Sequence, residues 1–162
     1  MDWAPDQKFG VAAKEEMAKL TGRQFLQAVI DGRLPLPTAA RTLSMRPVEV
    51  GDAFAVFEGE PGSDLLNPLG SVHAGFALAL IESVTAWAAH STLPAGASYA
   101  TIETKVNFSR LILPDTGPVR AEGRVVNAGR SIVSAEGRIV DSRGRLMAHG
   151  TSTIMIFRDI RE

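Results

Sequence analysis

Residues 67–90 read NPLGSVHAGFALALIESVTAWAAH, and they carry the strongest structural signal in this chain of 162 residues. Between Gly75 and His90 nearly every side chain is apolar, which predicts a helix that is buried on all sides. The helix has sixteen residues, fewer than the roughly twenty that are needed to span a bilayer. We therefore expect it to lie inside a globular protein.

Strand patterns flank this helix on both sides. Two short candidates, 43–50 and 53–58, precede it and are joined by the turn residues Gly51-Asp52. Longer candidates, with alternating apolar and polar residues, follow it at 101–112, 119–126, 132–140 and 146–157. An antiparallel sheet of about five or six strands, curved around the single helix, would bury the apolar surface of that helix, so the predicted fold class is α+β. The open edge of such a sheet favours pairing with a second copy of the chain.

Residues 1–42 are predicted to form a helical extension and a connector ahead of the main domain at 43–162. The sequence TGRQ at 21–24 makes a capping box at the start of a helix, and Gly32 is placed to end that helix. Residues 34–37 read LPLP and predict an extended connector, because proline cannot continue a helix. A helix this short needs the larger domain to cover its apolar face.

The composition excludes several classes of protein. Hydrophobic residues make up 45% and charged residues 22% of the chain, which is typical of a globular protein and excludes a disordered or membrane-spanning one. There is no cysteine, so disulfides, a thiolate nucleophile and Cys-based metal sites are excluded, and the three histidines lack metal-ligand spacing. We expect no metal. The net charge of −1 argues against nucleic acid or membrane partners, and the acidic N-terminus without an apolar run predicts a cytoplasmic protein.

The charges are unevenly distributed along the chain. Residues 105–145 hold eight basic and four acidic side chains, a positive surplus that the remainder of the chain cancels. One interpretation is a solvated face of the sheet with ion pairs between strands. The other is a site for a small polyanion such as a nucleotide phosphate.

Glu82 is the one ionisable side chain between His73 and His90. It either lies on a solvated stripe of the helix or acts as a general base or nucleophile in a dry cleft. The glycine-bearing loop that enters the helix presents free backbone N–H groups, which suit an oxyanion. Glu82 follows His73 by nine residues, about 13 Å of helix, so it can act beside such a terminus only if the terminus belongs to a second copy.

The motif Asn67-x-x-Gly70-x-x-His73-x-Gly75, followed by Glu82, resembles that of hot-dog-fold acyl-CoA thioesterases of the phenylacetate-pathway and hydroxybenzoyl-CoA type. The similarity extends over roughly residues 43–157. The resemblance implies a long helix wrapped by an antiparallel sheet, with active sites across a dimer interface. It also implies hydrolysis of an acyl-CoA, with an aromatic or medium-chain acyl group, to a carboxylic acid and free coenzyme A.

The resemblance further implies catalytic roles for matching positions. The backbone N–H of Gly75 or Ala74 would polarise the thioester carbonyl. Glu82 of the facing subunit would activate water or attack the carbonyl directly. Asn67 would orient the water or the substrate, and Thr101 would supply a helper hydroxyl.

The coenzyme A phosphates would meet a second set of residues, namely Arg110, Gly129, Arg130 and Ser131. Coenzyme A enters only as part of the substrate, so no separate cofactor is expected. The implied partner is a second copy of the chain, in a dimer with shared active sites that pairs into a dimer of dimers.

Two positions of the motif admit other readings. His73 is expected to hold the loop and the helix start by hydrogen bonds in preference to acting as a base. Ala74 stands where many relatives carry glycine, and a required positive φ there would misaim the oxyanion donor. A non-catalytic acyl-CoA-binding or regulatory protein therefore stays open, as does a hot-dog hydratase or dehydratase.

Overall fold

The computed structural model describes residues 1–157. Three short helices come first: α1 (Lys14–Met17), α2 (Gly22–Ile30) and α3 (Thr38–Thr42). The strands β1 (Met45–Gly51) and β2 (Phe54–Gly59) precede the long helix α4 (Ala74–His90). Four further strands follow it, β3 (Ser98–Phe108), β4 (Val119–Ala128), β5 (Ile132–Asp141) and β6 (Leu146–Phe157).

The strands form one six-stranded sheet in the order β1-β2-β4-β5-β6-β3, and all neighbours are antiparallel. The helix α4 packs across one face of this sheet and contacts every strand. This confirms the predicted α+β architecture with one long helix against an antiparallel sheet. The third strand was predicted over 101–112, but it ends at Phe108 because the next two N–H groups, of Ser109 and Arg110, both donate to the Met147 carbonyl.

A row of glycines lets α4 approach the sheet closely. Gly123, Gly137 and Gly150 are direct neighbours across β4, β5 and β6. A Cβ on Gly123 would lie 2.4 Å from the carbonyl oxygen of Val84 on α4, closer than atoms can pack. Gly123 thus admits the backbone of α4, and Gly137 leaves room for the side chains of Ile81, Val84 and Thr85.

The helix α4 is buried on most sides but not on all of them, contrary to the expectation from its composition. Leu80, Ile81 and Val84 are fully buried against the sheet. Ala74 and Leu78 are exposed, and Glu82 is partly exposed. The sheet encloses one side of the helix and leaves this stripe uncovered.

The predicted capping box of α2 is present. Thr21 Oγ1 accepts the Gln24 N–H, and the Gln24 carboxamide oxygen accepts the Thr21 N–H. Gly32 has φ +72°, a conformation that suits glycine just past a helix end, as predicted. The extended connector is confirmed at Leu36, whose backbone pairs with the segment around Phe9, although the short helix α3 that follows it was not predicted.

Candidate active site

The loop before α4 is organised by Asn67. Its side-chain oxygen accepts the N–H groups of Leu69 and Ser71, and its amide nitrogen donates to Ser71 Oγ at 2.7 Å. The family resemblance implies that Asn67 orients the water or the substrate. The structure instead uses most of its hydrogen-bonding capacity inside the loop, and one of the two amide hydrogens is left for another partner.

His73 is the N-cap of α4. Its Nδ1 accepts the N–H of Gly75 at 2.9 Å, so the neutral ring carries its proton on Nε2. The Gly75 N–H is therefore occupied within the chain, and a Cβ on Gly75 would lie 2.9 Å from that same Nδ1. Among the described residues no acceptor meets the N–H of Ala74, which makes Ala74 the better of the two predicted oxyanion donors.

Ala74 causes no backbone strain at this terminus. It is the first helical residue of α4, and the non-glycine residues with positive φ in the described chain are Ser44 and Ala53. A helical residue does not need glycine. The concern that its methyl group would misaim the donor therefore does not apply.

Glu82 is held by β3. Thr101 Oγ1 donates a hydrogen bond of 2.7 Å to Glu82 Oε1, and Ser83 Oγ lies 3.4 Å from Oε2. The carboxylate lies on the uncovered stripe of α4, where it is partly exposed. Thr101 thus positions this carboxylate and touches it directly.

One chain does not bring Glu82 and the Ala74 amide together. The two residues are eight positions apart on α4, about 12 Å along the helix axis. They nevertheless lie on the same uncovered stripe, with Leu78, 41% exposed, midway between them. The candidate site is therefore incomplete in a single chain.

Tyr99, near Glu82, and His90, at the end of α4, were not predicted to belong to the site. The ring of Tyr99 lies 5.0 Å from that of His90, centroid to centroid, and His90 lies 5.5 Å from Phe25 of α2. Burial lowers the pKa of His90 to about 4. Burial, with a smaller contribution from the Glu82 charge, raises the pKa of Tyr99. The four-residue spacing of Glu82, Ala86 and His90 on α4 was the available signal for His90.

The residues predicted to meet coenzyme A lie at opposite ends of the sheet. Arg110 donates to the carbonyl of Leu146 at the start of β6, and the N–H of Ile156 near the end of β6 donates to Ser131. Ten residues of strand separate these two points, about 33 Å. Within one chain Arg110 is thus remote from Gly129, Arg130 and Ser131.

Ion pairs on the outer face of the sheet account for part of the positive surplus at 105–145. Arg138 and Arg120 both pair with Glu122, and hydrogen bonds from Arg138 above all lower the pKa of that carboxyl. Arg145 pairs with the buried carboxylate of Asp141 at the end of β5, and the Arg124 guanidinium lies 4.4 Å over the Phe54 ring. The interpretation as a solvated, ion-paired face is confirmed for Arg120, Arg138 and Glu122, whereas Arg110 lies beside His73 and Ala74.

Residues 1–157 contain no cluster of three side chains suited to hold a metal ion. Within the same range, no helix has the length and apolar character needed to cross a membrane.

A curved antiparallel sheet around one long helix, with a carboxylate at mid-helix and a capped N-terminus, defines a hot-dog protein. A family model described as the thioesterase superfamily matches residues 69–148, the part of the chain that contains α4, Glu82 and most of the sheet. The fold and this match together support a hot-dog protein of the thioesterase type. Thioester hydrolysis is the chemistry for which the superfamily is named.

Solved structures agree with this assignment. A phenylacetic acid degradation-related protein of Ralstonia eutropha, described as a thioesterase, is 28% identical, with a TM-score of 0.74 over 81% of this chain and 98% of that one. A mutant of the phenylacetic acid degradation protein PaaI from Thermus thermophilus is 25% identical, with a TM-score of 0.66 over 73% and 97%. Escherichia coli PaaI, at 20% identity, shares the fold, with a TM-score of 0.68 over 74% and 84%. The comparison with curated proteins found no match.

Proposed function

We propose that this protein hydrolyses an acyl-CoA thioester to a carboxylic acid and free coenzyme A, at two active sites formed across a symmetric dimer. The observation that carries the proposal is the position of Glu82, fixed by Thr101 on the uncovered stripe of α4 that also carries the Ala74 amide. A base and an oxyanion donor on one exposed stripe, too far apart to cooperate in one chain, become partners when a two-fold axis relates two copies.

The relative directions of α4 and the edge strand β3 are consistent with one two-fold axis. Helix α4 runs antiparallel to β3, since Phe108 lines a shallow cavity with Ala74 while Thr101 bonds to Glu82. The midpoint of Ala74 and Glu82 is Leu78, and the midpoint of Thr101 and Phe108 falls beside Thr104. An axis through these midpoints brings Glu82 of each copy to the α4 N-terminus of the other.

The exposed edge of β3 is suited to pair with itself about that axis. Antiparallel pairing centred on Thr104 sets Glu103 opposite Lys105 of the second copy, and Lys105 opposite its Glu103. Opposite charges directly across from each other stabilise such strand pairs, and the pairing satisfies backbone groups of the open edge.

The chemistry follows from these positions. The thioester carbonyl oxygen accepts the Ala74 N–H at the positive end of the α4 dipole, which stabilises the charge that develops on it. Glu82 of the other copy takes a proton from water as the water oxygen attacks the carbonyl carbon. The C–S bond then breaks, and the coenzyme A thiolate leaves and is protonated. Direct attack by Glu82, followed by hydrolysis of the resulting anhydride, gives the same products.

The same dimer supports the predicted coenzyme A contacts. In the antiparallel pairing centred on Thr104, Arg110 of one copy lies near the Tyr99 end of β3 of the other copy. The 129–131 turn of that other copy lies beside β6 at the same end, so Arg110 and this turn approach each other. Guanidinium groups from both sides then face the nucleotide phosphates. The two sets of residues that one chain separates are therefore complementary halves of one binding surface.

Glu82→Gln tests the proposal because it keeps the shape of the side chain and removes the base. With phenylacetyl-CoA and a thiol reagent, we expect a fall in kcat of at least about a hundredfold, while coenzyme A binding measured by calorimetry stays unchanged. Glu136→Gln, at an exposed position of β5 away from the β3 edge, is the matched control and keeps its activity. Wild-type turnover in the Glu82 variant contradicts the proposed mechanism, and a wild-type protein that binds acyl-CoA without turnover supports the non-catalytic alternative.

A further inference from the structure

Three hydroxyl groups form a chain of hydrogen bonds between α4 and the edge strand β3. Thr85 Oγ1 on α4 lies 2.7 Å from Ser152 Oγ on β6, and Ser152 Oγ lies 3.0 Å from Thr104 Oγ1 on β3. Thr85 is fully buried and Ser152 is 2% exposed, whereas Thr104 is partly exposed. Burial of a hydroxyl is unfavourable unless it finds a hydrogen-bond partner, and the chain provides one for both buried groups.

The inner end of this hydroxyl chain reaches the backbone that carries Glu82. Thr85 Oγ1 also lies 2.8 Å from the carbonyl oxygen of Ile81 and 2.9 Å from that of Glu82. Each hydroxyl has one proton, so with Thr85 donating to these carbonyls, Ser152 donates to Thr85 and Thr104 donates to Ser152. The hydroxyl chain therefore connects the edge strand to the peptide group of Glu82.

An irregularity in β3 explains why two of its threonines face α4. Thr101 and Thr104 are three positions apart, and in a regular strand such residues point to opposite faces. The register of β3 against β6 shifts at Ile102, where β3 contains one extra residue. Both threonines thus lie on the side of α4, where Thr101 bonds to the Glu82 carboxylate and Thr104 starts the hydroxyl chain.

The edge strand therefore holds Glu82 at two points. Thr101 binds the carboxylate at the end of the side chain, and the hydroxyl chain binds the turn of α4 from which that side chain projects. The first contact alone would leave the flexible part between them free to move. Catalysis is sensitive to such freedom, because a displacement of about 1 Å can lower a rate by about a hundredfold.

We propose that Thr85 and Ser152 are positioning residues for Glu82, which hold α4 at the distance from β3 at which Thr101 reaches the carboxylate. This inference rests on the proposed function, in which Glu82 is the base. Both side chains are closed to solvent, so they act on the reaction only through Glu82. The alternative role of the hydroxyl chain is to stabilise the fold without any effect on the reaction.

Thr85→Val tests the proposal because it removes the hydroxyl and keeps the shape of the side chain. Ser152 retains Thr104 as its partner in this variant, so no buried hydroxyl is left unpaired. With phenylacetyl-CoA we expect kcat to fall about three- to tenfold, the range for one neutral hydrogen bond, while KM stays within about twofold. Thr85→Ser restores the hydroxyl and should recover most of the rate. Thr151→Val, beside Ser152 on β6 but exposed, is the matched control and keeps wild-type kinetics.

A double variant separates positioning from stabilisation. If Thr85 acts through the bond between Thr101 and Glu82, its effect depends on that bond being present. Adding Thr85→Val to Thr101→Val then lowers kcat by less than about twofold, since residues that act through one contact are not additive. An undiminished three- to tenfold loss in the Thr101→Val background would contradict the proposed route.

The outcomes distinguish this inference from the proposed function. If the wild type hydrolyses no acyl-CoA, the proposed function fails and the role of Thr85 fails with it. If the wild type is active and Thr85→Val, folded by circular dichroism, keeps the full kcat, the hydroxyl chain only stabilises the fold and this inference alone fails. Should Thr85→Val not fold, Ser152→Ala decides, because Thr85 keeps its carbonyl acceptors there: a similar loss of kcat supports the inference, and an unchanged kcat overturns it.

Discussion

The Thr101 hydroxyl on β3 and the Glu82 carboxylate on α4 lie 2.7 Å apart, and this hydrogen bond ties the long helix to the exposed edge of the sheet. Glu82 would otherwise rotate freely on the uncovered stripe of α4. The bond therefore gives the carboxylate a fixed direction at the position where a second copy would approach.

We expect Thr101→Val to lower kcat by about ten- to a hundredfold, since hydrogen bonds to charged groups contribute about 1.5–3 kcal/mol. The substitution keeps the shape of the side chain and removes the donor. Thr101→Ser restores the hydroxyl and is expected to recover most of the rate. Steady-state kinetics on the three proteins check this, and equal rates for the Val and Ser variants would show that the hydroxyl does not position Glu82.

Ala74→Pro isolates the proposed oxyanion donor. Proline is well accepted at the first position of a helix, and His73 before it has φ −59° and ψ 135°, which proline also accepts. The helix is therefore retained while the Ala74 N–H is lost. We expect kcat to fall by about 10²–10³-fold, as when other oxyanion donors are removed.

Ala74→Gly is the control for that change, because it keeps the N–H and should stay within about threefold of the wild-type rate. Circular dichroism establishes that both variants fold. A fully active proline variant would move the oxyanion donor to another group.

Charge-reversal variants on β3 test the proposed dimer. Lys105→Glu places like charges opposite each other twice in the pairing centred on Thr104, and like charges directly across strands are destabilising. We expect a weaker dimer by sedimentation and a parallel loss of activity. Adding Glu103→Lys to this variant restores the opposite-charge pairs, so the double variant should dimerise again, whereas a double variant as weak as the single one would contradict this register.

His90 makes stability depend on pH. Its pKa is about 4 in the folded protein and 6.5 when unfolded, so between these values the unfolded chain binds a proton that the folded chain does not. Stability contributed by neutral His90 is therefore complete above pH 6.5 and is lost as the pH falls towards 4. The loss reaches up to about 3 kcal/mol.

Urea unfolding at pH 7.5 and pH 4.5 measures this effect. His90→Phe fills the same place between Phe25 and Tyr99 without a titrating group, and it should lose distinctly less stability over this range than the wild type. The same loss in both proteins would mean that carboxylates such as Glu122, whose pKa is lowered in the folded state, account for the whole acid sensitivity.

Local patterns predicted the elements of the fold because local physics governs them. The apolar run to His90, the capping box at Thr21 and the turn glycine at Gly32 each act through neighbours within a few residues. In the sequence, the glycines at 123, 137 and 150 indicate only strands of low β propensity. In the folded sheet they are neighbours, and their missing side chains let α4 pack closely.

The candidate site divides in the same way. The motif from Asn67 to Glu82 predicted which residues belong to the candidate site. Which of their N–H groups are already hydrogen-bonded depends on how the loop folds. The structure uses the Gly75 N–H for the His73 cap and leaves that of Ala74 for another acceptor. Tyr99 was overlooked because its contact with His90 joins the edge strand to the end of the helix.

By itself the amino-acid sequence determined the long apolar helix, the approximate positions of the strands along the chain and the isolated acid at position 82, since hydrophobic periodicity and turn chemistry depend on consecutive residues. The tertiary structure decided which amide is available, which hydroxyl holds Glu82 and which ends of the sheet carry Arg110 and Ser131. Those relationships depend on distances between strands and helices that meet only after folding, and no local pattern encodes them.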